Sequence, residues 1–183
     1  MLMKWLRENR YAAILLTAVR LYVGWQWLTA GWHKLTGDKA FDAAGFIKGA
    51  IAKPIVDGTT HEAIYPNYVG FLQHVALPNV KLFNFIIPWG EFLIGAGLLL
   101  GALTTTAMFF GLMMNFIFLF AGTVATNPWL ILLGIFIAAA GTNAGKFGVD
   151  HYLLPYMHHW FDKHTKHGKP TGKAAPPVAP HNA

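Results

Sequence analysis

The chain contains no cysteine. A thiol–disulfide relay, a thiolate nucleophile, a cysteine-bound zinc and an iron–sulfur cluster are therefore excluded from it. Any redox role must use a bound organic molecule, a metal on other ligands, or a partner. Charge is the second shortage. Only 12% of the 183 residues are Asp, Glu, Lys or Arg, about half the share in an average soluble domain. From Phe92 to Gly145, a run of 54 residues, there is no charged side chain. A helix needs about 20 apolar residues to cross a bilayer, so this run predicts more than one crossing. With 55% hydrophobic residues, the composition predicts an integral membrane protein of the all-α class. It excludes a soluble enzyme, a disordered chain and a secreted disulfide scaffold.

Four spans are expected. The first runs near residues 11–34, because the apolar run after the basic N-terminus is interrupted by Arg20 and no signal-peptidase site follows. The second runs from about Leu82 to Leu103 with Pro88 inside it, where the missing backbone N–H predicts a kink. The third runs from about Thr105 to Ala125. The fourth opens at Asn127-Pro128, with proline in the favoured first turn, and runs to about Gly145. Between the first two, FDAAGFIKGAIAKP and NYVGFLQHVAL read as short interfacial helices in the first external loop, each stopped by a proline. Residues 1–150 thus form a four-helix membrane domain. Residues 151–183 form a basic, His/Pro-rich tail, expected to be largely disordered after about 163.

Lysine and arginine counts set the orientation. With both termini cytoplasmic, the inner side holds Lys4, Arg7, Arg10, Lys146, Lys163, Lys166, Lys169 and Lys173. The outer side holds Lys34, Lys39, Lys48, Lys53 and Lys81, diluted by four acids. The bias predicts a multi-pass protein of the cell membrane with both ends inside. The formal net charge of +6 is explained by span flanks and anionic lipid, with no base-stacking module that would suggest nucleic acid.

The informative residues are polar groups at membrane depth. Arg20 lies midway along the first span and Glu91 midway along the second. A charge at the bilayer centre costs about 2.5–3.5 kcal/mol on the insertion scale, so each needs a partner. Antiparallel first and second spans suggest that the two pair with each other, as a structural salt bridge or as the lining of a head-group cavity. At about 100° per residue, Arg20, Gly24, Trp27, Gly31 and Lys34 share one face. Glu91, Gly95, Leu98 and Ala102 share another; Gly111, Asn115 and Gly122 line the third span, and Gly134, Ala138, Gly141 and Gly145 the fourth. For Gly24, Gly31, Gly95, Gly101, Gly141 and Gly145 the expected role is close helix packing. Asn115 joins the candidate binding residues.

Most of the seven tryptophans lie where an interfacial belt is expected, but Trp27 shares the Arg20 face and is placed to stack on a ring. His33, with His74, flanks the outer loop within reach of a pocket mouth. The histidines beyond residue 150 read as a solvated tail, with no metal site expected. Bis-histidine haem would need two histidines at membrane depth, and the spans contain none.

The first span, R-L-Y-V-G-W-Q-W-L-T-A-G-W-H-K-L, resembles the opening helix of the DoxX family: an arginine, a glycine four on, an apolar run, then a glycine with a lysine three on. Glu91, Gly95 and Gly101 in E-F-L-I-G-A-G-L-L-L-G are similar to that family's glutamate–glycine helix. The ending G-K-F-G-V-D, Gly145 to Asp150, resembles its closing motif. The likeness covers most of residues 11–150. It implies a small four-helix membrane bundle engaged in quinone-linked electron transfer, as in the membrane subunit of thiosulfate:quinone oxidoreductase, or in quinone and thiol redox homeostasis.

The expected function is a quinone-binding membrane subunit of an oxidoreductase. Arg20 or Lys34 would stabilise negative charge developing on a quinone oxygen, Glu91 would pass protons, and Trp27 would stack on the ring. A partner redox subunit is implied, and a homo-oligomer is also compatible. The alternative is a non-catalytic accessory subunit that scaffolds a partner complex. A carrier is disfavoured, because four short spans show no internal repeat.

Overall fold

A computed structural model describes residues 1–166. Residues 1–151 form one compact unit, and Tyr152 onward belongs to a second. The expected disorder after about 163 falls largely outside the described residues. Among the described residues there are eight α-helices and no strand: α1 (Leu2–Glu8), α2 (Arg10–Thr36), α3 (Ala44–Ala52), α4 (Pro66–Phe71), α5 (Val80–Leu100), α6 (Thr104–Phe120), α7 (Asn127–Ala140) and α8 (Asp150–Lys166). A π-helical turn, Leu72–Ala76, continues α4, and a 3₁₀ turn, Gly141–Gly145, ends α7.

The boundaries follow local chemistry. Asn9 separates α1 from α2, and its side-chain oxygen accepts from the backbone N–H groups of Tyr11 and Ala12, capping α2. Pro128 stands in the first turn of α7. Gly101 ends α5 in the left-handed conformation, at φ +64°. Helix α1 has no counterpart among the expected spans. Its seven residues are too few for periodicity to reveal, and tertiary contacts hold it. Arg7 Nε donates to the Ala139 carbonyl at 2.9 Å, and Asn143 Nδ2 donates to the Leu6 carbonyl at 2.8 Å. Helix α8 takes in Asp150 and the first part of the tail, residues 151–166.

Helix α2 packs on α5, α5 on α6, α6 on α7, and α7 back on α2, closing a ring of four. Its centre holds Val23, Trp27, Leu98, Met108 and Ile137, all buried. Helices α5 and α7 with its 3₁₀ extension are long and apolar enough to cross a membrane. Helix α6 is apolar but has 17 residues, one turn shorter than expected. Helix α2 is long enough but carries Arg20 and Lys34. Large side chains project outward from the ring, among them Phe85, Leu93, Phe109, Leu132 and Ile135, all exposed.

The first loop forms a small cluster of its own over one end of the ring. Ala43, Ile47, Ala50, Leu72 and Ala76 bury one another, with Phe83, Ile87 and Ala121 packed beside them. Asn84 on α5 ties it down. Its Oδ1 accepts from the Ala43 N–H at 2.7 Å, and its Nδ2 donates to Asp42. The backbone N–H of Ala44, then Asn84, hold the Asp42 carboxyl below its ordinary pKa. Tyr68 Oη donates to the Ile117 carbonyl at 2.9 Å, fastening α4 to α6.

Candidate functional site

Three glycines set the register of α2 against α5. A Cβ on Gly24 would press on Leu98 and Leu99, one on Gly31 on the backbone of Phe92, and one on Gly95 on the backbone of Leu28. The helices approach to backbone contact there, as small residues permit. This antiparallel register places Glu91 opposite Gly31. Arg20 lies eleven residues earlier, about 16 Å along the axis. The expected Arg20–Glu91 pair does not form, because the offset between the helices exceeds the arginine's reach.

Each charge has a different partner. Lys34 Nζ donates to Glu91 Oε2 at 2.6 Å. Glu91 is 3% exposed and Lys34 is 29% exposed, so the pair spans from the interior to a wet edge. Lys34 also lies 5.8 Å from the centre of the Phe41 ring, in cation–π range. Arg20, 1% exposed, instead donates from Nη1 to the Leu98 carbonyl at 2.7 Å and from Nη2 to the Phe147 carbonyl at 3.3 Å. Beside it, Asp150 accepts from the N–H groups of Leu103 and Thr104, capping α6 through both carboxylate oxygens.

The glycines divide the same way. Gly24, Gly31 and Gly95 lie where α2 and α5 touch. Gly101 and Gly145 do so in a specific place, since a Cβ on Gly101 would strike Arg20 and Gly148, and one on Gly145 would strike Asp150. Gly141 is a correction. Nothing lies within 4 Å of where its Cβ would be, and its φ of +58° shows that the turn after α7 needs glycine for conformation, not contact.

A cavity of about 430 Å³ opens at the Lys34 end. Trp27, His33 and Lys34 from α2 line it, with Glu91 from α5, Phe118 from α6 and Asn127 from α7. Four of the expected site residues therefore meet here. Trp27 Nε1 is buried without a hydrogen-bond partner and points away from this cavity, toward Gly111 on α6. Arg20 and Asn115 do not line the cavity; Asn115 is fully buried on α6, and neither amide atom has a partner. Phe41, Gln26 and Thr126 also line it and were not among the expected residues. Gln26 had a signal, because it adjoins Trp27 on α2. The other two reach the cavity only through loop geometry.

The family model for DoxX matches residues 15–124, more than half of the chain. The chain belongs to the DoxX family. The match takes in Arg20, Trp27, Lys34, Glu91 and Gly101, and ends before the Gly145–Asp150 motif. No curated protein and no solved structure matches the chain. DoxX proteins are membrane proteins, in keeping with the two apolar helices long enough to cross a bilayer.

Proposed function

We propose that this DoxX protein is a quinone-binding membrane subunit of an oxidoreductase, and that its head-group site is the Lys34–Glu91 cavity. The observation that carries this reading is a carboxylate–ammonium pair, with Glu91 buried and Lys34 partly exposed, on the wall of a cavity that the side chains of Trp27, Phe41 and Phe118 also line. A buried ion pair alone is compatible with scaffold; one that faces a cavity lined by aromatic side chains is equipped to hold a polar ring. In the same reading α2, α5, α6 and α7 are four membrane spans, because their outward faces are apolar. Both termini are cytoplasmic, which puts the cavity at the outer side.

A quinone accepts two electrons and two protons when it is reduced to the quinol. The electrons come from a partner redox protein or a soluble reductant. Lys34 supplies a positive charge where negative charge grows on a carbonyl oxygen, and its ammonium is a proton donor. Glu91, bonded to Lys34, passes on to it protons taken up from water at the wet edge, so that both protons of the quinol come from solvent. Trp27 offers a ring face to the head group. Arg20, given a catalytic role on sequence, is engaged elsewhere and serves structure in this reading.

The test is retention and rebinding of quinone. Protein purified with its lipid should yield quinone on solvent extraction. In quinone-free nanodiscs, added quinone should quench tryptophan fluorescence saturably. Lys34→Met and Glu91→Gln should each weaken binding by about tenfold or more. No quinone in the extract and no saturable binding would sink the proposal. Loss of a partner complex on deletion of the chain would then favour the accessory-subunit reading.

A further inference from the structure

Asn115 stands on α6 inside the ring of helices, 0% exposed, and neither Oδ1 nor Nδ2 of its amide bonds to a protein group. Gly111 lies one turn earlier on the same face. A Cβ on Gly111 would sit 3.4 Å from Trp27 Nε1, which is also buried and unpartnered. Two polar side chains from two helices thus converge on one strip of α6 and do not bond to each other. Buried groups of this kind are paired in folded proteins, with protein or with ordered water.

Glu91 belongs to the same place. A Cβ on Gly90 would meet Met114 Sδ at 3.4 Å, and one on Gly111 would meet Ile94 Cγ2 at 3.3 Å. Antiparallel α5 and α6 therefore hold Glu91 level with Asn115, to within about half a turn, or 3 Å of axis. Lys34 bonds to Glu91 Oε2; the other oxygen, Oε1, takes no hydrogen bond from a described residue. Phe118, one turn beyond Asn115, lines the Lys34–Glu91 cavity together with Trp27 and Glu91. Asn115 is thus the next layer inward from the cavity floor. The remaining buried unpaired atoms, Arg20 Nε and Thr104 Oγ1, lie toward the other end of the ring, past Val23, Leu98 and Met108.

The unpaired groups specify what fits among them. Glu91 Oε1 and Asn115 Oδ1 can only accept; Trp27 Nε1–H and Asn115 Nδ2 can only donate. A cation suits the two oxygens and is repelled by the two N–H groups. An anion suits the N–H groups and is repelled by the carboxylate. A small neutral molecule that both donates and accepts satisfies the whole set, and water does so with two donors and two acceptors. We propose that Asn115, Trp27 and Glu91 hold internal water at membrane depth, directly behind the cavity. Lys34 neutralises one carboxylate oxygen and this water solvates the other. A proton reaching or leaving Glu91 then has a hydrogen-bonded carrier on Oε1 that continues to the cavity. The site stands on the helix register and the unpaired groups, whatever ligand the cavity takes.

The experiment is solid-state NMR of the full chain in liposomes, reading how fast magnetisation passes from water protons to individual N–H groups. The Trp27 indole and the Asn115 amide should receive it at least about threefold faster than the backbone N–H of Val23, which is fully buried among apolar side chains. In Asn115→Leu, a substitution that keeps the branched shape and removes both polar atoms, transfer to the Trp27 indole should fall to the Val23 rate. Transfer to both groups no faster than to Val23 in the parent chain would overturn the site. An indole that keeps its water contact in Asn115→Leu would overturn the sharing of that water between Trp27 and Asn115, and the proposal with it. Assignment of the parent spectrum makes the first reading independent of whether the variant folds. Quinone binding enters neither measurement, so failure here leaves the head-group reading standing, and failure of quinone to bind leaves the water site standing.

Discussion

Helix α2 carries two cations, Arg20 buried and Lys34 partly exposed, fourteen residues apart, or about 21 Å along its axis. They share a face and a chemistry, yet their surroundings differ. Around Arg20 the backbone closes in. Two carbonyls accept from the guanidinium, Gly101 and Gly148 press together beside it, and the Val149 and Asp150 N–H groups donate to the Leu100 and Gly101 carbonyls. Around Lys34 the structure leaves space, and the ammonium meets a carboxylate at the wall of a cavity. A planar guanidinium with several fixed donors suits a site made of carbonyls, whereas a compact ammonium suits a site where a proton can move. Buried charge alone therefore does not mark a binding site; the distinction lies in whether packing around it is complete.

The comparison can be broken most completely by topology, where the outcome is all or none. If the Arg20 end faces the cytoplasm and the Lys34 end faces out, Thr59→Cys should react with an impermeant maleimide on intact cells. Lys4→Cys should react only after lysis. The reverse pattern would invert the orientation drawn from lysine and arginine counts.

The next effect is on stability. Arg20→Met should cost about 2–4 kcal/mol, since it removes two charge-assisted hydrogen bonds and leaves the Leu98 carbonyl with only the Gly101 N–H. Lys34→Met should cost less, about 1–2 kcal/mol, because Glu91 can become neutral by taking up a proton. Thermal unfolding of both variants in one nanodisc composition gives the order. Protein with Arg20→Met that does fold should still bind quinone, whereas Lys34→Met should not. Equal stability losses would dissolve the contrast between a closed site and an open one.

A smaller effect separates the glycines. Gly101→Ala places a Cβ at positive φ and against Arg20, and should cost about 2–3 kcal/mol. Gly90→Ala meets only the flexible end of Met114, at 3.4 Å, and should lie within about 0.5 kcal/mol of the parent. If the two substitutions proved equally mild, the tight packing around Arg20 would be overstated.

Several parts of this arrangement were legible in the sequence because they depend on periodicity and composition. The charge-free run predicts α5 through α7, and proline and glycine place most of their ends within a turn, although α6 stops at Phe120, five residues before the expected Ala125. The small-residue stripe of Gly24, Gly31 and Gly95 gives the faces on which α2 and α5 meet. Trp27, His33, Lys34 and Glu91 were each singled out, and they line one cavity. The error lay in which groups pair. Arg20 and Glu91 both looked central on their own spans, but a midpoint estimate ignores the offset between two helices. Lys34 was weighed as a loop cation and a candidate ligand, not as the partner of Glu91, because its place at the end of the run hid how far α2 continues. The carbonyls that hold Arg20 belong to residues 98 and 147. A backbone acceptor carries no residue type, so sequence reading could not point to it.

By itself, then, the sequence determined the kind of molecule: apolar helices that meet through glycine, and two cations and a carboxylate that must each find a partner inside. It could do so because hydrophobicity, helical period and the cost of burying charge are properties of residues. Only the tertiary structure decided which partner each charge takes. That choice follows from helix register, fixed by backbone contacts at Gly24, Gly31 and Gly95, and register is a relation between segments that neither one encodes alone.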